Sequence, residues 1–215
     1  MEFIFLSIIA YLLGAIPNGV WIGKLFFQTD IRYAGSKNIG TTNTFRVLGK
    51  KAGMVVFVLD VLKGSIATLL PTLFHLNISP LYFGILAILG HSCSIFIKFK
   101  GGKSVATSAG MLLAYQPVLC LILALLFALC LYLSSIVSFS SIISSIAAIC
   151  LVTIANSVDL PFLNQIDLPF ILIVFGLAGF IIYRHQDNIK RLKSGEENTV
   201  PFGLNLLKQK TFKKR

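Results

Sequence analysis

The sequence predicts an all-α integral membrane protein: seven transmembrane helices, one of them a short element, with the N-terminus outside and the C-terminus cytoplasmic. Three observations predict it. Of 215 residues, 56% are hydrophobic and 13% charged, with Phe alone supplying 18; a soluble domain of this size carries about twice that share of charge. Apolar runs of the roughly 17 to 25 residues needed to cross a hydrocarbon core follow one another with little chain between them. Apart from Lys24 and Lys63, the cationic residues, finally, are confined to alternate connections and the tail. The whole chain, 1–215, is expected to form a single polytopic membrane domain with a basic cytoplasmic tail at 198–215.

The opening run, FIFLSIIAYLLGAIPNGVWIGKLFF, gives a helix over 3–24. Glu2 stands where a signal peptide carries Lys or Arg, and no small-residue cleavage pattern follows, so this segment is expected to be retained. Helices follow over 52–76 and 79–97. The next apolar run, 104–133, is interrupted by Gln116 and Pro117 and admits one crossing or two. One crossing would place the connection 159–167, which has no Lys or Arg, beside the lysine-rich loops and would export the basic tail. Two crossings put every basic segment inside and leave 77–80 and 159–167, both without Lys or Arg, outside. The rule selects helices over 104–114 and 117–134. The first of these reaches only roughly 16 Å at 1.5 Å per residue, against a bilayer of about 30 Å, and is expected to be buried in protein. Helices over 138–158 and 168–184 complete the seven.

Cys93, Cys120, Cys130 and Cys150 lie in apolar runs without metal-ligand spacing and are expected to be small buried hydrophobes. A formal net charge of +11 in a soluble domain would suggest nucleic acid; in a polytopic chain it reports orientation and contact with anionic membrane lipids. No cofactor and no metal are expected.

Three polar segments share the inner side: 29–51, 98–103 and 184–197. The first, DIRYAGSKNIGTTNTFRVLGKKAG, makes a poor helix but a good backbone nest for an anion. Ser36, Asn38, Thr41 and Asn43 offer neutral hydrogen bonds and Arg46 a fork suited to phosphate; the other reading is a connector held inside by its cations. Asp60 and Lys63 sit three apart within an apolar run, so they form either a structural ion pair or part of a site. In FKGGKSVAT, Gly101 and Gly102 precede a helix beginning near Ser104. Free backbone N–H groups, the positive helix end and Lys103 would then point at one anion; a glycine hinge with an inner-side lysine is the alternative. His91 is either a buried hydrogen-bonded histidine or a ligand-facing one. After the last helix, RHQDNIKRLKSGEEN places Arg184, His185 and Asn188 on one side of a helical turn, where His185 suits a base, a proton shuttle or a phosphate donor.

AGSKNIGTTNTFRVLGKKAG, DVLKGS, GHSCSIFIKFKGGKSVAT and RHQDNIKRLKSGEE, in that order, resemble the bacterial acyl-phosphate-dependent glycerol-3-phosphate acyltransferases, the PlsY family. The resemblance spans nearly the whole chain. It implies a multi-pass protein of the bacterial plasma or inner membrane with a cytoplasmic active site. The implied reaction moves the acyl group of acyl phosphate to the 1-hydroxyl of sn-glycerol 3-phosphate, giving lysophosphatidic acid and phosphate, with acyl phosphate supplied by another enzyme. Carried over by motif, Ser36, Asn38, Thr41, Asn43 and Arg46 match the first segment, Lys103 with Gly101 and Gly102 the second, and His185 with Asn188 the third. Ser36, Arg46, Lys103 and His185 are the expected catalytic residues; Asn38, Thr41, Asn43, Gly101, Gly102 and Asn188 are expected to bind substrate, with Asp60, Lys63 and His91 in support. Lys37, Ser104 and the pair Cys93 and Ser94 depart from the family pattern. Because the donor is already a mixed anhydride, direct transfer by positioning and charge neutralisation is expected. The reading of another class is an organic-phosphate transporter or channel using the same basic mouth and the broken element at 104–114.

Overall fold

The computed structural model describes residues 1–158, 163 and 166–209. Every regular element among them is helical, and the chain divides into two compact units, Met1–Pro117 and Val118–Arg215. The first holds α1 (Glu2–Ala15), α2 (Asn18–Phe27), a 3-10 turn (Ile31–Tyr33), α3 (Thr41–Leu48), α4 (Lys50–Leu73), α5 (Pro80–Ser92), a second 3-10 turn (Ile95–Ile97) and α6 (Val105–Tyr115). The second holds α7 (Pro117–Ser134), which starts on the boundary, then α8 (Val137–Ser157), α9 (Leu168–Arg184) and α10 (Gln186–Lys193). Among the described residues, four spans are long and apolar enough to cross a membrane: α4, α5 with its following turn, α7 and α8. The number rises to six if the bent pairs α1–α2 and α9–α10 each count as one.

The expected helix 3–24 is broken, with α1 and α2 meeting at 52°. Pro17 has no N–H to continue the ladder, and its ring pushes Ile16 out of the helical region, to ψ 114°. The break uncovers carbonyls that a hydrocarbon environment cannot satisfy. The protein supplies donors: Lys63 Nζ reaches the Ile16 carbonyl at 2.9 Å, and the Ser94 hydroxyl donates to that of Ala15. Ser94, which departs from the family pattern, therefore has a structural use in this chain.

α4 is the spine of the first unit. Ala67 and Leu70 bury against Leu6 and Ala10 of α1 and Phe83 and Ala87 of α5. On another face α4 meets α6 backbone to backbone: a Cβ on Gly64 would stand 2.2 Å from the Thr107 carbonyl, and one on Gly110 2.0 Å from that of Val61. Small residues let the helices touch, and the Ser65 hydroxyl donates to the Gly110 carbonyl at 2.8 Å. The 11-residue α6 exposes only Leu113. A helix too short to span is thus largely shielded by protein.

The segment read as a poor helix contains one, α3. Local propensity is overridden by packing: the Phe45 ring lies over Gly53 of α4, and Val47 and Leu48 pack on a cluster of Val20, Ile31, Ile39 and Ile97. That cluster draws the 29–48 segment and the loop after α5 to one end of the unit.

In the second unit α8 packs on α9, with Val152, Phe170, Val174 and Ala178 buried. Asp167 caps α9 by accepting from the Phe170 N–H at 2.9 Å. α7 buries Leu119 and Leu123 but exposes Leu121, Leu125, Leu129 and Tyr132, as suits a helix facing lipid. The cysteines are not buried: Cys93 and Cys150 are exposed, Cys120 and Cys130 partly so. An apolar residue on a membrane helix has no need to face inward, because lipid is as apolar as the interior.

Candidate active site

The first polar segment is built around Asn43, only 1% exposed. Its carboxamide oxygen accepts from the Ser36 N–H at 2.8 Å, and its Nδ2 donates to the carbonyls of Ile31, Ala34 and Asn38 at 2.9, 3.1 and 2.8 Å. Asn43 therefore binds the loop that carries Ser36 and Asn38. Asn38 continues the scaffold, its Oδ1 accepting from the Gly40 N–H at 2.9 Å. Ser36 is exposed and Arg46 half-buried on α3. Thr41 Oγ1 is buried with no hydrogen-bond partner among the described residues, at the first position of α3. Arg32 does not add to the site's positive charge. Its guanidinium lies 2.6 Å from Asp30, and that hydrogen bond holds the Asp30 carboxyl down at about 2, with Lys24 a further 3.4 Å contact.

The second segment returns from α5 on a strained path. Lys98, Phe99 and Ser104 all adopt left-handed backbone, with φ of 57°, 59° and 60°. The expectation that the Gly101 and Gly102 N–H groups converge on an anion is corrected here. They donate to the last carbonyls of α5, Gly101 to Ser92 at 3.0 Å and Gly102 to His91 at 3.1 Å. The glycines are needed for closeness instead: a Cβ on Gly101 would stand 2.1 Å from the His91 carbonyl and one on Gly102 2.2 Å from His91 Nε2. Lys103 follows, half-buried, at the start of α6. Ser104, 1% exposed, turns its hydroxyl into the protein, bonded to the Ser92 hydroxyl and 3.2 Å from the Ile88 carbonyl. That anchoring accommodates the side chain at a left-handed position.

His91 is buried, with Nδ1 3.9 Å from Asp60 Oδ1. Asp60 and Lys63 pair at 2.8 Å, and Asn18 Nδ2 donates to the same Asp60 oxygen at 2.9 Å. The cluster therefore runs from the α1–α2 break, through α4 and α5, to the backbone of Gly102. Asn18 was missed by sequence reasoning; the signal available was a lone amide directly after a proline inside an apolar run.

In the second unit His185 lies in the 57° bend between α9 and α10, 3% exposed. Its Nδ1 is 2.8 Å from the Ile181 carbonyl. A carbonyl only accepts, so Nδ1 carries a hydrogen; a neutral ring would then have Nε2 as its accepting nitrogen. Asn188 Nδ2 donates to Glu197 Oε1 at 2.8 Å, while Arg191 Nε donates to Glu197 Oε2 at 2.9 Å. Glu197, 3% exposed, was also missed. Asn188 and Arg191, one turn apart, offer donors to one side, and the acid returns to them only because the chain reverses at Gly195, whose φ is 72°.

Comparison with known proteins follows the same lines. Residues 4–195 match the family model described as glycerol-3-phosphate acyltransferase. The glycerol-3-phosphate acyltransferase of Streptococcus pneumoniae strain CGSP14 is 55% identical over 207 residues, covering 96% of this chain and 97% of that one. Its counterpart in strain Taiwan19F-14 is 56% identical with the same coverage. Among solved structures, crystalline PlsY (YgiH), an integral membrane glycerol 3-phosphate acyltransferase in its glycerol 3-phosphate form, is 36% identical. It superposes with a TM-score of 0.82 over 93% of this chain and 96% of that one. Its lysophosphatidic acid form gives 35% identity and 0.78, over 93% and 95%. The chain belongs to the glycerol-3-phosphate acyltransferase family of PlsY proteins.

Proposed function

We propose that this protein transfers the acyl group of an acyl phosphate to the 1-hydroxyl of sn-glycerol 3-phosphate, releasing lysophosphatidic acid and inorganic phosphate at the cytoplasmic face of a bacterial membrane. The observation that carries the reading is the 0.82 superposition on a 36% identical relative solved with glycerol 3-phosphate, together with its lysophosphatidic acid form. These two states correspond to acceptor and product of one acyl transfer.

The chemistry asks little of a nucleophile. Attack by the acceptor hydroxyl on the acyl carbon forms the ester C–O bond and breaks the bond to the phosphate oxygen. The departing phosphate, basic at neutral pH, takes the hydroxyl proton. What remains for the protein is to hold two phosphate-bearing molecules and offset their charge. In the first unit Arg46 and Lys103 do this, on segments drawn to one end by the Ile97 cluster, with Ser36, Asn38 and Thr41 as neutral donors. Asn43, Gly101 and Gly102 act by holding those segments in place. The first N–H groups of α6 have no intrahelical partners and add a positive helix end beside Lys103. In the second unit His185 and Asn188 are the substrate-contacting residues, Asn188 being oriented by Glu197. Purified protein given acyl phosphate and glycerol 3-phosphate is expected to release phosphate with ester formation. Acyl phosphate alone is expected to give no stoichiometric burst and no acyl adduct by mass spectrometry. An acylated side chain that forms and decays at the turnover rate would overturn direct transfer.

The seven-crossing arrangement draws support from each unit separately. In the first, the end of α2, α3, the start of α4 and the loop after α5 gather at one end, as alternating crossings require. In the second, the Val200 N–H donates to the Ser135 carbonyl at 2.8 Å and Gln209 Nε2 to that of Leu192 at 3.1 Å. The end of α7 and the chain after α9 therefore share one end, as three crossings demand. In a background without the native cysteines, a cysteine at Asn77 is expected to label from outside and one at Lys193 only from inside. Protection of Asn77 from external reagents would refute this topology. Asn164, the natural probe of the other outer connection, lies outside the described residues.

A further inference from the structure

Residues 199–209 form a strap across the end of α7, and its composition is unusual for a tail. The last turn of a helix leaves carbonyls without intrahelical partners. Here the strap's backbone satisfies them: the Leu204 N–H donates to the Tyr132 carbonyl at 2.7 Å and the Leu206 N–H to that of Leu133 at 3.0 Å. The Asn205 N–H donates to the Ser135 hydroxyl at 3.1 Å. The far end is tied as well, since Gln209 Oε1 accepts from the Glu197 N–H at 3.0 Å. While the backbone faces the protein, Phe202, Leu204, Leu206 and Leu207 face away, 55, 53, 61 and 44% exposed. Four large apolar side chains facing water on a pinned segment would be costly, because the penalty for wetting apolar surface grows with its area.

Two features say what covers them. The strap continues the exposed apolar surface of α7, whose Leu125, Leu129 and Tyr132 lead to the carbonyls it caps. The sequence then turns strongly cationic, with Lys208, Lys210, Lys213, Lys214 and Arg215 and no Asp or Glu anywhere in 198–215. Apolar side chains at the level where a spanning helix ends, followed by clustered cations, match the boundary between acyl chains and anionic headgroups. We infer that the 199–209 strap is an interfacial anchor, with Phe202, Leu204, Leu206 and Leu207 seated in the leaflet at the α7 C-terminal end and the cations after them bound to anionic phospholipid. The inference rests on α7 spanning the membrane. It gives the basic tail a lipid partner and ties that partner, through Glu197 and its bond to Asn188, to α10.

The test uses the whole protein in lipid nanodiscs with tryptophan as reporter. Trp21 is the sole tryptophan, so Trp21→Phe clears the background. Phe202→Trp and, separately, Leu206→Trp then report on the strap, Leu125→Trp on the middle of α7, and Tyr33→Trp, at an 81% exposed position, on water. Both strap reporters are expected to emit at shorter wavelength than Tyr33→Trp and to be quenched by phosphatidylcholine brominated near the headgroup. Quenching is expected to be stronger when the disc contains phosphatidylglycerol, each cation near an anionic surface contributing about fivefold to the equilibrium. Strap reporters quenched by aqueous acrylamide like Tyr33→Trp, while Leu125→Trp is quenched by lipid, would overturn the anchor. Shielding from both quenchers would also overturn it and point to a protein covering, such as a second copy. Equal quenching in neutral and anionic discs would overturn the anionic contact. A Leu125→Trp reporter untouched by brominated lipid would instead remove the spanning reading on which the anchor depends.

Discussion

Lys63→Met alone is expected to destabilise the protein by about 3–5 kcal/mol, the usual consequence of stripping one partner from a buried ion pair. Lys63 and Asp60 are 5% and 2% exposed. Removing the ammonium leaves the carboxylate with the Asn18 amide at 2.9 Å and His91 at 3.9 Å, and takes from the Ile16 carbonyl the donor that covers the α1–α2 break. The double change Asp60→Leu with Lys63→Met removes the uncompensated charge and is expected to recover most of the loss. It leaves the Ile16 carbonyl without its lysine, which costs about 1–3 kcal/mol. Unfolding of the detergent-solubilised variants decides the matter: a single variant as stable as the parent would mean that water reaches the pair. Because His91 joins this cluster to Gly102, turnover in the double variant is expected to fall further than its stability.

The layout of helices was legible because apolar run length and the placement of Lys and Arg act over whole segments. Helices expected at 52–76, 117–134 and 138–158 lie within a few residues of α4, α7 and α8. What was not legible depended on atoms brought together from far along the chain. The helix read over 3–24 did not anticipate the break at Pro17, which Lys63 and Ser94 make tolerable inside an apolar unit by covering the Ile16 and Ala15 carbonyls. α3 exists because Phe45 finds Gly53. The candidate site divides the same way. Residue types and motif order pointed to phosphate chemistry, yet composition could not tell a residue that touches substrate from one that holds the loop. Asn43 spends its carboxamide on four backbone groups, and Gly101 and Gly102 spend their N–H groups on α5. Glu197 was invisible as a partner of Asn188 because nine residues and a chain reversal separate them.

Lys103→Ala is expected to lower kcat/KM for glycerol 3-phosphate by about 30-fold or more, equivalent to about 2 kcal/mol of lost transition-state binding. The size follows from where the charge sits. Lys103 is half-buried, and the residues on either side leave it little freedom: Gly102 is fastened to the His91 carbonyl at 3.1 Å and Ser104 is bonded into α5. A cation held in place before substrate arrives need not be ordered by it, so its attraction to phosphate is available to binding and catalysis. Lys100, three residues earlier and exposed, carries the same charge into the same loop without that framework. Lys100→Ala is therefore expected to change kcat/KM by less than about threefold, the effect of a screened surface charge. Equal losses in the two variants would mean that the loop acts only through its general field and would remove the specific role of Lys103. Lys103→Arg separates charge from shape. It keeps the cation but replaces a compact ammonium by a planar fork, and is expected to restore part of the binding of glycerol 3-phosphate while leaving turnover well below that of the parent.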